Sequence, residues 1–239
     1  MVPGGTLTER TGPLAMLRPG KPWIQVTVGV TAVVGTLALG AFLHVHPGLN
    51  AIDRVGFTLR PAATHTLLFR AVTRLGTVPA LALGSVGAAL VARFTGQRDR
   101  RRALACLIGP LAAAALDEFV MKPLVGRRYL GEFSFASGSV TVVAGVTTAW
   151  VLAVPRRFRP AVEVIGAVVV ALTVTAVVAL QWHYPSDALA GVALGAGMVL
   201  LIDAGTRIGQ GGQPGDDSPG VPRSVGRRSS KTVQLPSRQ

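Results

Sequence analysis

The chain has 239 residues, 49% of them apolar, few aromatics (5%) and a formal charge of +13 at neutral pH. Its length fits one domain, and its apolar residues come in long blocks rather than periodic stripes, the pattern of a chain that crosses a membrane. In a soluble chain such a charge points to nucleic acid; here it gathers in short loops and a tail, which excludes that partner, and the lone Cys106 inside an apolar run excludes a disulfide framework or cysteine metal site.

In chain order, residues 1–22 read as a cytoplasmic N-terminal segment. The first apolar window, 23–43, has about the 20 residues that a bilayer core requires. A secretory leader has an apolar core of roughly 7–15, so this window is expected to stay as an uncleaved span. Windows 75–94 and 161–180 have full spanning length, and 103–121 reaches it with two acidic interruptions, Asp117 and Glu118. Two shorter runs, 140–154 and 188–202, extend into polar motifs or are shielded by neighbouring helices. The expected fold is all-α, an integral membrane six-helix bundle over residues 23–207. A Gly-, Pro-, Ser- and Arg-rich tail follows, 208–239, whose composition predicts disorder in the cytoplasm.

Six spans that start inside put RFTGQRDRRR (Arg93 to Arg102), RRFR (Arg156 to Arg159) and the basic tail in the cytoplasm, as the positive-inside rule requires. Residues 122–139 and 181–187 then share the outer face with His44, His46, His65 and His183. The expected location is the cell membrane, multi-pass, with both termini cytoplasmic and the polar motifs facing outward.

In MKPLVGRRYLGEFSFASGSV, Lys122 precedes a proline, which disfavours helical geometry at the lysine and is expected to end the third span there; Gly126 permits a turn. Lys122, Arg127 and Arg128 place three cations on the outer face, against the charge bias. Guanidinium groups offer paired donors and an ammonium a point charge, which suits phosphate oxygens, while snorkelling to lipid headgroups is the plainer alternative. Ser137-Gly138-Ser139 opens the fourth span. Free backbone N–H groups and the positive end of the helix dipole make an anion seat there, or simply an N-cap. Glu118, four residues before Lys122, is spaced to pair with it, and acidic residues inside a span are candidates for function by default.

In WHYPSD (Trp182 to Asp187), Pro185 separates His183 from Asp187, so a turn leading into the sixth span is expected. A carboxylate on one imidazole nitrogen fixes the tautomer and frees the other as base, ligand or nucleophile; flanked by Trp182 and Tyr184, the histidine can equally be an interfacial anchor. The other histidines lack zinc spacings, so no metal is expected. Acyl transfer through Ser137 or Ser139 stays open, although the cations serve a phosphate better than an ester carbonyl.

These motifs, in this order, resemble the type 2 phosphatidic acid phosphatase (PAP2) superfamily of integral membrane lipid phosphatases. The pattern is Lys, six residues, Arg-Pro; then Pro-Ser-Gly-His; then Ser-Arg, five residues, His, three residues, Asp. Lys122, Ser137, Gly138, His183 and Asp187 match it within roughly residues 23–205. Tyr129 and Leu130 stand in place of Arg-Pro, Ala136 of the proline, Ser139 of the first histidine, and Ala176 and Val177 of Ser-Arg. The resemblance implies that His183 attacks phosphorus to form a phosphohistidine, that Asp187 orients it, and that Lys122 and the Ser137-Gly138 turn hold the phosphoryl oxygens. Arg127 and Arg128, just before Tyr129, are the expected substitutes for the missing arginine. No metal or cofactor is implied; the implied partners are a lipid phosphate and the bilayer. Ser139 cannot protonate a leaving alcohol as the family histidine does. The expected preference is therefore a lipid (polyprenyl) diphosphate, whose leaving phosphate needs less help, or recruitment of His65 or a water as acid. The alternative is a catalytically inactive member that binds or transports lipid phosphates.

Overall fold

A computed structural model describes residues 22–58, 66–95 and 100–208 of the chain. Residues 1–21 of the N-terminal segment, most of the basic tail and His65 lie outside these residues. Four helical segments are long and apolar enough to cross a membrane: Trp23–Val45, Arg100–Val125, Arg156–Ala179 and Pro185–Ile208. A fifth span is bent by 57°, where Thr66–Gly76 meets Val78–Phe94. The sixth apolar helix, Gly138–Ala153, has 16 residues and is about 24 Å long at 1.5 Å per residue, shorter than a bilayer core. The protein is thus an all-helical, multi-pass membrane protein in which one of the six expected helices is short and another bent.

We label the helices α1 (Pro22–Val45), α2 (Ala51–Thr58), α3 (Thr66–Thr73), α4 (Val78–Phe94), α5 (Arg100–Leu116), α6 (Lys122–Val125), α7 (Gly138–Ala153), α8 (Arg159–Ala179) and α9 (Pro185–Ile208). The short α7 is enclosed: it packs on α4, α5, α8 and α9, while α9 also packs on α1 and α5. With no hydrophobic drive between helices in lipid, such pairs are held by close backbone approach over small residues. Gly191 and Gly195 of α9 meet the backbone of α7 around Ser137, Thr141 and Gly145. A Cβ at Gly195 would fall 2.3 Å from the Thr141 carbonyl oxygen. Gly195→Ala is therefore expected to destabilise the bundle by about 1–3 kcal/mol through overpacking. Gly205→Ala, with open space around Gly205, is expected to leave the melting temperature in detergent unchanged or slightly raised. The outer faces of α1, α4 and α8 carry exposed Val34, Leu37, Leu83, Leu90, Val164 and Ile165, an apolar belt for lipid.

The two ends of the bundle differ in charge. At one end Asp203 near the end of α9 meets Arg102 (3.6 Å) and Arg207 (2.5 Å). At the other, α6, the start of α7 and the α8–α9 turn bring Lys122, Gly138 and His183 to the same side of the membrane domain. Between α6 and α7 lies an element not expected from the sequence, a hairpin of β1 (Arg128–Tyr129) and β2 (Glu132–Phe133). Leu130 (φ 50°) and Gly131 (φ 93°) form its two-residue turn, the left-handed geometry that such tight hairpins require.

Candidate active site

The third span does not stop at Lys122. A π-helical turn, Asp117–Met121, follows α5 and runs directly into α6, and Lys122 is itself helical (φ −59°, ψ −50°). The proline follows directly on the π turn, where the regular i to i−4 hydrogen-bond ladder is already interrupted. Gly126, with φ 64°, ends the helix where the turn was expected. The extra residue of a π turn re-aims the side chains around it. Glu118 reaches Lys122 and pairs with it, as the spacing suggested. Asp117 turns inward and is fully buried: Oδ1 accepts the Ala136 N–H at 3.0 Å, and Oδ2 has no partner.

Ser137 stands at the N-cap position of α7, but its hydroxyl makes no capping bond and is buried without a partner. Its N–H donates instead to the Asp187 carbonyl at 3.0 Å. The first-turn N–H groups of α7 have no acceptor within the helix. A methyl group on Gly138 would lie 3.5 Å from Asp117 Oδ2 and 3.6 Å from Lys122 Nζ, so ammonium, carboxyl and helix start converge there. They form the polar end of a cavity of about 450 Å³. Val78, Leu81, Leu111 and Val142 line its apolar part, and Gly76 and Ser139 also border it. Gly76 is required at this point, because a Cβ there would fall 2.4 Å from Ser139 Cα. The cavity joins a charged end, where Lys122, Asp117 and Glu118 meet, to an apolar body.

His183 sits in the turn between α8 and α9, with Pro185 opening α9 as the sequence suggested. Its Nδ1 lies 2.9 Å from the Ser134 carbonyl oxygen. A carbonyl only accepts, so Nδ1 carries the hydrogen and Nε2 keeps its lone pair. The Asp187 carboxylate, expected on the ring, is engaged elsewhere: Oδ1 accepts from Arg127 Nη1 at 2.7 Å, and Oδ2 has no partner. The physical reason is Pro185, which starts the helix after His183, so histidine and aspartate do not share a helical face. Asp187 is linked to the ring only through others. Asp187 accepts from Arg127, the Ser134 N–H and hydroxyl donate to the Arg127 carbonyl (2.9 and 3.3 Å), and the Ser134 carbonyl holds His183.

Burial pushes the His183 imidazolium down to about 4; the Ser134 carbonyl opposes the shift and the charge of Lys122 adds to it. The unfolded chain binds this proton near pH 6.5, the folded chain only near 4, so stability is full above pH 6.5 and declines as pH falls across that window. A melting temperature that drops between pH 6.5 and 4, with a smaller drop in His183→Phe, is the expected result. A ring nitrogen that titrates near 6.5 in the NMR spectrum of the folded protein would contradict it.

Arg127, expected to hold phosphate, is fully buried and bound throughout. Nε donates to the Pro47 carbonyl, Nη1 to Ser186 Oγ (2.9 Å) and Asp187 Oδ1, and Nη2 to the Gly48 carbonyl (3.1 Å) and Asp53 Oδ2 (2.6 Å). The five N–H donors of a guanidinium therefore meet five protein acceptors, which leaves none for a ligand. Its plane stacks on the Tyr184 ring at 3.8 Å. Arg128 is also placed differently: exposed on the hairpin, it donates to the Gly131 carbonyl (3.3 Å) and lies over Phe133 (4.8 Å). Neither lines the cavity beside Lys122, and Tyr129 packs against Tyr184 (4.5 Å) and Phe57 (6.4 Å).

Asp53 was not anticipated. Asn50 and Asp53 cap the start of α2 reciprocally, Asp53 N–H to Asn50 Oδ1 at 2.9 Å and Asn50 N–H to Asp53 Oδ2 at 3.3 Å. That local spacing is visible in the sequence, but its second use is not. Asp53 also binds Arg127 and accepts the Ser186 N–H at 2.9 Å. Of the remaining histidines, His44 Nδ1 meets the Val125 carbonyl (3.1 Å) and His46 Nδ1 the Phe42 carbonyl (3.3 Å). Among the described residues, no group of three His, Cys, Asp or Glu side chains is placed to hold a metal ion.

A helical bundle long and apolar enough to span a membrane, with a lysine, an open helix N-terminus and a tautomer-fixed histidine at the same end, defines an integral membrane protein that gathers its polar groups at one end. Residues 110–205, which run from within α5 into α9 and carry all of these groups, match the PAP2 superfamily. The fold is similar to that in the crystal structure of the first transmembrane PAP2 type phosphatidylglycerolphosphate phosphatase from Bacillus subtilis. The two share 20% identity with a TM-score of 0.58, covering 74% of this chain and 97% of that one. At this identity the likeness is one of fold. A comparison with curated proteins finds no match.

Proposed function

We propose that the protein is a membrane phosphatase that hydrolyses a lipid phosphate or diphosphate through a phosphohistidine on His183, without a metal. The observation that carries this reading is the hydrogen bond from Nδ1 to the Ser134 carbonyl, which leaves the Nε2 lone pair free at the end of the bundle that holds Lys122 and the start of α7. Lys122 and the N–H groups of Gly138 and Ser139 would receive the phosphoryl oxygens, with the lipid body along Val78, Leu81 and Leu111. Asp187 and Arg127 act at a distance, positioning Ser134 and through it the imidazole. The arginine-rich opposite end supports an orientation with that end in the cytoplasm and the site outward.

A second reading, lipid-phosphate binding without hydrolysis, is favoured by one observation: Arg127 and Arg128 are engaged by the protein, so Lys122 is the cation lining the cavity. The purified full chain, given vesicles that contain a lipid monophosphate or a prenyl diphosphate, is expected to release inorganic phosphate. Saturable retention of these lipids with no release would favour the binding reading.

A further inference from the structure

Hydrolysis at His183 leaves the departing oxygen in need of a proton, and Ser139 stands where the PAP2 pattern has a histidine for that task. We infer that Asp117 is the proton donor to the leaving group, an inference that rests on the proposed hydrolysis. Three observations meet on this residue. Asp117 borders the same cavity as Lys122, Gly138 and Ser139. Its Oδ1 is occupied by the Ala136 N–H, so a proton on the carboxyl resides on Oδ2, the atom that faces the Gly138 position beside the lysine. That Oδ2 is buried without a partner, which is costly in a folded protein and is kept where an atom has a task other than packing. The π turn that begins at Asp117 is the local device that turns it inward while Glu118 points to Lys122. The other nearby carboxyls are unsuited. The Glu118 side chain is 58% exposed and ion-paired, and Asp187 is bound to Arg127.

The step balances as follows. His183 Nε2 donates its lone pair to phosphorus as the bond from phosphorus to the leaving oxygen breaks, and the Asp117 Oδ2 proton moves to that oxygen, giving a neutral alcohol, a phosphohistidine and an Asp117 carboxylate. Water then attacks phosphorus, its proton returns to Asp117, and phosphate and the neutral imidazole are released. With this donor the substrate class includes lipid monophosphates, which expel an alkoxide, and is not confined to diphosphates.

Asp117→Asn keeps the acceptor for the Ala136 N–H and removes the proton. In the purified full chain it is expected to lose about 10²–10⁴-fold in rate on a lipid monophosphate, the usual worth of general acid help. On p-nitrophenyl phosphate, whose leaving group needs no proton, the first-turnover burst of p-nitrophenol is expected to keep its wild-type rate, while His183→Gln loses both the burst and the lipid activity. A second measurement needs no variant: across aryl and alkyl phosphates the wild-type rate is expected to depend weakly on the basicity of the leaving group. Equal loss of the first-turnover rate on both substrates in a folded Asp117→Asn, or a steep dependence in the wild type, would overturn the assignment. His183-dependent release from the lipid monophosphate that Asp117→Asn leaves intact overturns this inference alone. No His183-dependent release from any substrate overturns the hydrolysis reading and this inference with it.

Discussion

Replacing Arg127 by methionine is expected to destabilise the folded protein by about 3–5 kcal/mol, the cost of removing one partner from a buried ionic group. Arg127, Asp53 and Asp187 are each fully buried, and the guanidinium bridges the two carboxylates at 2.6 and 2.7 Å. Without it, two carboxylates remain in a low-dielectric region with no countercharge. Four segments also lose their common tie: the Pro47–Gly48 loop, α2, the start of the hairpin and the start of α9. For a membrane domain of this size the loss corresponds to a drop of roughly 10 °C in melting temperature in detergent. Arg127→Lys should recover little, since one ammonium cannot supply five planar donors. The triple change Asp53→Asn, Arg127→Met, Asp187→Asn should recover much of the loss, because no buried charge is left over. Had Arg127 been a phosphate ligand, Arg127→Lys would leave the melting temperature alone and weaken substrate binding; that outcome would refute the structural role.

His183→Gln is expected to reduce phosphate release by at least about 10³-fold with little change in folding, because removal of the nucleophile in covalent catalysis eliminates the main route. Glutamine retains an N–H for the Ser134 carbonyl, so the turn between α8 and α9 should persist, and its amide nitrogen offers no nucleophilic lone pair. Rapid acid-free denaturation during turnover of ³²P-labelled substrate should trap label on the wild type and none on the variant. Full activity in a folded His183→Gln would remove the phosphohistidine step. Asp187→Asn, which acts on the ring only through Arg127 and Ser134, should cost more in stability than in the chemical step.

The sequence by itself determined the membrane character, the apolar windows and the gathering of Lys122, Ser137-Gly138 and His183 at one end, because each follows from local quantities: run length, helix period and the alternation of ends that short connections impose. The Glu118–Lys122 pair and the turns at Gly126 and Pro185 were legible for the same reason, all being set within four residues. What only the tertiary structure decided was which acceptor each buried donor meets. Arg127 finds Asp53 and Asp187, 74 and 60 residues away, and His183 finds the Ser134 carbonyl, 49 residues away. Spacing suggested His183 with Asp187, and charge and proximity suggested Arg127 with phosphate. Burial overruled both, since a guanidinium drawn into the interior must satisfy its donors on the nearest carboxylates and carbonyls, and those come from elements that packing, not sequence proximity, brings alongside.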